Sequence, residues 1–392
     1  MNAAPSPAGS SRSLALPAAL LFGSMLNLTL VVAGLKELVV DRLGGSVGDA
    51  ALFFTVEMIA YATCGPLWGL ASDRSGRRRP FVVAGFAASG ALYLAMPAVD
   101  SIPLLLALRF LQGGCAIAGW STVMALVFVF GEPASRPRRA GIAGAAIIFG
   151  VGSGAPLGGW LTHTLGAEAP LVAAGVSFLA LAAAALALVE PARRERRPTP
   201  RELLAALVAR PRLLLPSGVY FVERFTVGLF VVLFPVHLAE LAGADPATRG
   251  LYLAFFLFPF AAGQLGSYRL ARRWGPLPTL AGGAAAYGLA FAAIGELAAS
   301  ALAGWMVLLG LLAAVIFPPT LALVAEWSAP ATRASAMAAF NLAGSLGFAL
   351  GPLVGARALE LAGYSAAFAT GGALAFTAGL AVALAARRLA GS

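Results

Sequence analysis

Long apolar runs alternate with short polar stretches along the whole chain. Six runs fall at 14–35, 50–72, 80–99, 102–130, 140–161 and 170–189, and six more at 213–241, 251–268, 277–298, 301–325, 334–359 and 366–386. A helix needs about 20 apolar residues to cross the hydrocarbon core of a bilayer. Each run is therefore predicted as a spanning helix. The pattern predicts an all-α membrane protein of twelve transmembrane helices, with a six-helix bundle over 1–189, a polar linker over 190–212 and a second six-helix bundle over 213–392. The first run is longer than a signal-peptide apolar region and passes into "VVAGLKELVV" without a small-residue cleavage site, so it is expected to be helix 1.

Composition strengthens this reading. With 60% hydrophobic and 11% charged residues among 392, a water-soluble globule would lack a polar coat. The net charge of +10 is explained by topology and not by nucleic acid, because the arginines lie between apolar runs. Of 27 lysines and arginines, 21 fall in one set of alternate loops and termini and four in the opposite set, while Arg109 and Arg224 lie inside spans. The positive-inside rule then places both termini in the cytoplasm, in keeping with a multi-pass protein of a bacterial inner membrane. Cys64 and Cys115 both sit in apolar runs, which supports neither a disulfide framework nor a thiolate metal site. No metal and no cofactor is expected, and a monomer is.

The chain also repeats itself. Gly154 and Gly351, Gly158 and Gly355, and Gly69 and Gly266 are each 197 positions apart, as expected of two homologous halves. The same offset sets Asp73 against Leu270, Arg109 against Met306 and Glu57 against Ala254. The glycines recur and the charges do not, so polar machinery is expected mainly in the first half.

The stretch "GPLWGLASDRSGRRRP" turns from apolar to charged where the second span leaves the bilayer. Its Gly69, Asp73, Arg74, Gly76, Arg77 and Arg78 follow the spacing G-x-x-x-D-R-x-G-R-R, and here the sequence resembles the major facilitator superfamily. "LLLALRFLQGG" matches that family's R-x-x-Q-G element through Arg109, Gln112 and Gly113. "GVGSGAPLGG", which begins at Gly150, approximates the glycine–proline motif of its antiporters through Gly150, Gly154, Pro156 and Gly158, with Ala155 where proline is usual. "GFALGPLVG" fits better, through Gly347, Gly351, Pro352 and Gly355. The resemblance implies a cytoplasmic latch in which Asp73 faces the start of helix 11 and an arginine after it engages an acid at the end of helix 4, for which Glu132 is the candidate. It is closest in character to bacterial drug-efflux members, although the helix 1 acid of many such exporters has no equivalent near Asn27.

Charges inside spans carry the most chemical information, since one near the bilayer centre costs at least about 2.5–3.5 kcal/mol and normally faces a cavity or a partner. These are Glu57, Arg109, Glu223 and Arg224. At 1.5 Å per residue, Glu223 and Arg224 lie near the midplane and Glu57 and Arg109 in the outer half. Adjacent helix positions do not face each other, so Glu223 and Arg224 are not expected to neutralise one another, and at least one should reach a central cavity. Glu223 is the favoured proton carrier, with Glu57 second. Arg109 is expected to couple proton and substrate binding, against the plainer reading of a structural anchor. His163 and His237 read as solvated helix-end residues. Pro216, Pro235 and Pro318–Pro319 are expected to break or kink helices.

Other function classes fit poorly. The only lysine, Lys36, is not in a phosphate-binding loop, and no G-x-S-x-G nucleophile elbow occurs. Neither an ATP-driven pump nor an intramembrane hydrolase is therefore expected, whereas a transport-dead receptor differs from a carrier only in flux. The sequence favours a proton-coupled secondary transporter working by alternating access, exporting small amphipathic organic molecules. The alternative is a proton-coupled importer of an organic anion held by Arg109 and Arg224.

Overall fold

In the computed structural model the described residues, 8–129, 136–189, 210–329 and 332–390, are almost wholly helical and contain no strand. The first bundle comprises α1 (Ala8–Leu30), α2 (Val47–Ser75), α3 (Arg79–Ala95), α4 (Ile102–Val129), α5 (Arg136–Leu165) and α6 (Ala169–Ala185). The second comprises α7 (Leu214–Ala242), α8 (Pro246–Trp274), α9 (Pro276–Ala292), α10 (Ala299–Ala314, continued by Phe317–Trp327), α11 (333–361) and α12 (364–390). The expected linker falls largely on residues 190–209, which lie outside the described residues.

Local chemistry sets the helix ends. Ser46 and Asp49 form a reciprocal cap on α2, each side chain accepting from the other's backbone amide. Gly76 ends the same helix at φ 66, a left-handed conformation that favours glycine. Asp245 caps α8, and the hydrogen bond from the Thr248 amide holds its carboxyl below the usual carboxylate range. The contribution of that cap is thus present at neutral pH and is lost only as pH falls through the lowered value. Pro318 and Pro319 stand in the first turn of Phe317–Trp327, so the tenth span is interrupted just before them, as expected. The break between α11 and α12 is carried by Gly363 at φ 82.

The repeat seen in the sequence is a repeat of packing. In the first half, Gly150, Gly154 and Gly158 of α5 lie directly against backbone atoms of Phe22, Leu26 and Leu30 in α1. In the second, Gly347 and Gly351 of α11 lie against the backbone of Phe221 and Phe225 in α7, and Gly355 against the Leu229 side chain. Pro352 packs beside Gly228. In lipid, such glycine rows replace the hydrophobic drive with close van der Waals contact. A Cβ at Gly154 would collide with the Leu26 carbonyl, a backbone group that cannot rotate away. Gly154→Val and Gly351→Val are each expected to lower stability by about 1–3 kcal/mol, read as a lower melting temperature of the purified protein.

The two bundles meet at one end and part at the other. Far from the arginine-rich end, Gly159 of α5 lies against Pro246, and a Cβ on Gly250 of α8 would stand 2.9 Å from Pro156 Cα. Halfway along, a Cβ on Gly152 would still be 3.0 Å from Phe258. Further on, a Cβ on Gly144 or on Gly266 would meet no atom of another helix within 4 Å. α5 and α8 therefore splay toward the arginine-rich end. α2 and α11 behave alike: Thr55 donates to the Ala349 carbonyl at 3.0 Å and Phe54 packs edge-on to Phe348, whereas Leu67 and Leu70 are exposed.

Candidate functional site

A cavity of about 230 Å³ lies between the bundles, just inside the closed end. Its first-half wall is Met25 and Leu28 of α1, Met58 and Tyr61 of α2, and Ile117 and Trp120 of α4. Tyr220 and Arg224 of α7 and Gly344, Ser345 and Phe348 of α11 form the other wall. Arg224 is the one charged side chain among these. Its guanidinium lies 5.4 Å from the Tyr220 ring centre and 5.6 Å from that of Phe260, so aromatic faces share in holding it.

Glu223 completes the site in a manner the helix geometry did not predict. Arg224 Nε donates to Glu223 Oε2 and Nη2 to Oε1, both at 2.6 Å, a bidentate pair between adjacent residues. Sequence spacing argued against this because neighbouring Cβ atoms diverge. Both side chains are long enough to curl back, however, and Glu223, at 1% exposure, has no water to compensate its charge. Arg224 is 22% exposed, so the pair presents its cationic side to the cavity and hides its acid.

A second buried pair lies in the first bundle. Arg109 of α4, fully buried, donates to Glu57 of α2, to the Tyr93 hydroxyl of α3 and, at 2.7 Å, to Gln112 Oε1. Gln112 Nε2 donates onward to Ser89 at 2.9 Å, and the Phe53 ring faces the guanidinium at 4.7 Å. Neither Glu57 nor Arg109 lines the cavity. Tyr61 connects the two systems: its hydroxyl donates to Glu57 at 3.2 Å while its ring forms cavity wall. Asn27 is also buried away from the cavity, its Nδ2 donating to Ser177 at 2.9 Å.

Arg74 and Arg77 are exposed at the arginine-rich end and Gly69 is buried. Arg78 is largely buried. Glu132 and the Asp73 side chain lie outside the described residues. At the closed end, Arg249 of α8, buried, pairs with Glu37 in a π-helical turn, Lys36–Arg42, that follows α1. His163 is exposed, as expected. His237 is not the solvated residue expected: it is 5% exposed and its ring centre lies 4.5 Å from that of Tyr364. Tyr61, Trp120, Tyr220, Tyr93 and the Glu37–Arg249 pair were not singled out in the sequence. Polar aromatic residues inside spans were the available signal for the first four.

The closed end yields a direct expectation. Gly250→Leu places a side chain where the Ala155 carbonyl and Pro156 now sit, which disfavours closure without touching the cavity. With Cys64 and Cys115 replaced by alanine, a Thr55→Cys reporter is expected to react faster with a membrane-impermeant maleimide when Gly250→Leu is present.

The sequence model described as Major Facilitator Superfamily matches residues 18–221 and again 216–390. The chain belongs to this family. It is a membrane transporter and not an enzyme, built as two pseudo-symmetric six-helix bundles. Solved members share the fold at low sequence identity. A mutant of the nucleoside transporter NupG superposes with a TM-score of 0.77 at 14% identity, over 94% of this chain and 99% of that one. A bacterial homologue of the human lysosomal transporter Spinster, inward-facing and unoccupied, gives 0.76 at 18% over 98% and 96%. The human organic anion transporter MFSD10 gives 0.68 at 22% over 96% and 100%. No curated protein matches the sequence at a comparable significance.

Proposed function

We propose that this major facilitator superfamily protein is a proton-coupled transporter that exports small amphipathic organic molecules through the cavity between its bundles. The observation that carries this reading is the cavity wall itself: mainly apolar and aromatic, with a single guanidinium already held by a buried carboxylate. The apolar part of a substrate fits Met25, Met58, Trp120 and Phe348, and an acceptor group fits Arg224. Protonation of Glu223 would release Arg224, and a substrate acceptor on Arg224 would favour protonation of Glu223, so an acceptor-bearing substrate moves together with the proton. Export requires instead a substrate that leaves Glu223 ionised and is displaced when Glu223 is protonated. The proton and the substrate are thus linked through one ion pair. Export is supported by the efflux-like stretch from Gly65 to Pro80 and by the glycine–proline rows of α5 and α11. Import of an organic anion is the second reading, favoured by Arg224 being the one charged side chain among the described residues that line the cavity.

In this account the arginine-rich end, with both termini, faces the cytoplasm of a bacterial cell, the monomer is the working unit, and Asp73, Arg77 and Glu132 govern the conformational cycle. Arg109 acts as a positioning residue, through Glu57 and Tyr61. Arg109→Lys keeps the charge and loses the planar fork. Transport rate against pH, normalised to folded protein, is expected to shift in this variant. Superimposable curves would leave Arg109 as scaffold only. The proposal as a whole is tested by screening amphipathic cations and organic anions for thermal stabilisation, then following the stabilising compounds in vesicles with an imposed pH gradient. Concentration of the compound on the acidic side of the gradient supports antiport, and concentration on the opposite side supports import with protons. Equilibration without accumulation under either polarity contradicts coupling.

A further inference from the structure

On the lateral face of the second bundle, α7 and α12 enclose an apolar groove of about 330 Å³. Leu214, Gly218 and Val222 form one wall, and Leu374, Ala378 and Ala381 the other. The groove is open to the side, with Leu214 57% and Leu374 39% exposed. It lies in the half of the span nearest the arginine-rich end, since α7 begins at Leu214 and α12 finishes at residue 390.

Both walls run into arginine at that end. On α12, Leu374 and Ala381 are seven residues apart, and seven more reach Arg388 on the same stripe, about 10 Å further along the axis. On the other wall, the short turn Pro211–Leu213 sets Arg212 immediately before Leu214. Arg212 also lines a hollow of about 410 Å³ with Arg210, Glu326 and Trp327, in which Arg210 donates to the Trp327 carbonyl at 2.9 Å. Arg212 and Arg388 are both exposed, and among the described residues neither has an ion-pair partner.

We propose that this surface binds an anionic phospholipid, with one acyl chain in the α7–α12 groove and the phosphate between Arg212 and Arg388. An apolar slot two to three helical turns long, with an exposed arginine beyond the end of each wall, has the chemistry of such a lipid and not of a soluble anion. Basic positions at the membrane surface each contribute about fivefold to binding of an anionic headgroup. Val222 closes the groove and adjoins Glu223, so the bound chain rests against the helix that carries the cavity's ion pair.

The test is native mass spectrometry of the delipidated, full-length protein with equimolar phosphatidylglycerol and phosphatidylcholine. Wild type is expected to retain phosphatidylglycerol at least about tenfold better. Arg212→Gln with Arg388→Gln should bring the ratio to within about twofold. Gly218→Trp, which fills the groove and keeps both charges, should lower retention of phosphatidylglycerol, and it serves as the second test if the double variant does not fold. Glycerol 3-phosphate should not raise the melting temperature. The proposal is overturned if wild type retains both lipids equally, if the double variant or Gly218→Trp binds as wild type does, or if glycerol 3-phosphate stabilises the protein as strongly as the lipid.

Discussion

Arg109→Ala is expected to destabilise the folded transporter by about 3–5 kcal/mol, because it strands the Glu57 carboxylate at 1% exposure with only the Tyr61 hydroxyl for compensation. The variant also leaves Tyr93 and Gln112 without the donor they now accept from. Removing both charges should hurt less than removing one, since a neutral pair of similar volume has no charge to desolvate. Glu57→Gln combined with Arg109→Met is therefore expected to recover a substantial part of the loss. A double-mutant cycle on melting temperature, in detergent at fixed protein concentration, measures the coupling. Additive effects of the two substitutions would contradict a mutually dependent pair.

Glu223→Gln is expected to abolish proton-driven accumulation while leaving ligand binding intact or tighter. The amide keeps the shape of the carboxylate and cannot take up a proton at physiological pH. It also leaves the Arg224 guanidinium without its counter-charge, which favours an anionic or acceptor group arriving from the cavity. Binding and driven transport should separate in this one variant. Glu57→Gln acts on a carboxylate buried away from the cavity and should retain driven transport in whatever fraction folds. If Glu223→Gln accumulates substrate at wild-type levels, the carrier lies elsewhere.

Much of the fold was legible because lipid imposes one requirement on every span, and sustained apolar runs answer it. The 197-residue offset was equally informative: moved by that interval, α3 lands on the observed bounds Pro276–Ala292, and the start of α4 at Ile102 lands on the start of α10 at Ala299. What hydropathy cannot register is a change of backbone geometry within an apolar run. The π-helical turn at Lys36–Arg42 and the break at Ala362–Gly363 are of this kind. At the site, the four intramembrane charges stood out at once, and their pairing did not. Glu57 and Arg109 are 52 residues apart and meet only through the packing of α2 on α4. Glu223 and Arg224 were set apart by the divergence of adjacent Cβ atoms, but the cost of leaving a buried carboxylate alone outweighs that divergence. Tyr61 joins the two systems because it stands one turn after Glu57 on α2, within reach of its carboxylate, while packing of the two bundles makes its ring part of the cavity wall.

In the proposed cycle, one ion pair on α7 links proton and substrate. The most direct test of this link uses proteoliposomes containing a trapped pH indicator, to which a compound that stabilises the purified protein is added in the absence of any ion gradient. Wild type should move protons across the membrane as the compound moves, with the direction set by the compound's gradient, and Glu223→Gln should carry the compound down its gradient with no proton movement. Proton movement in Glu223→Gln equal to that of wild type, or compound flux in wild type with no change of internal pH, would contradict the account.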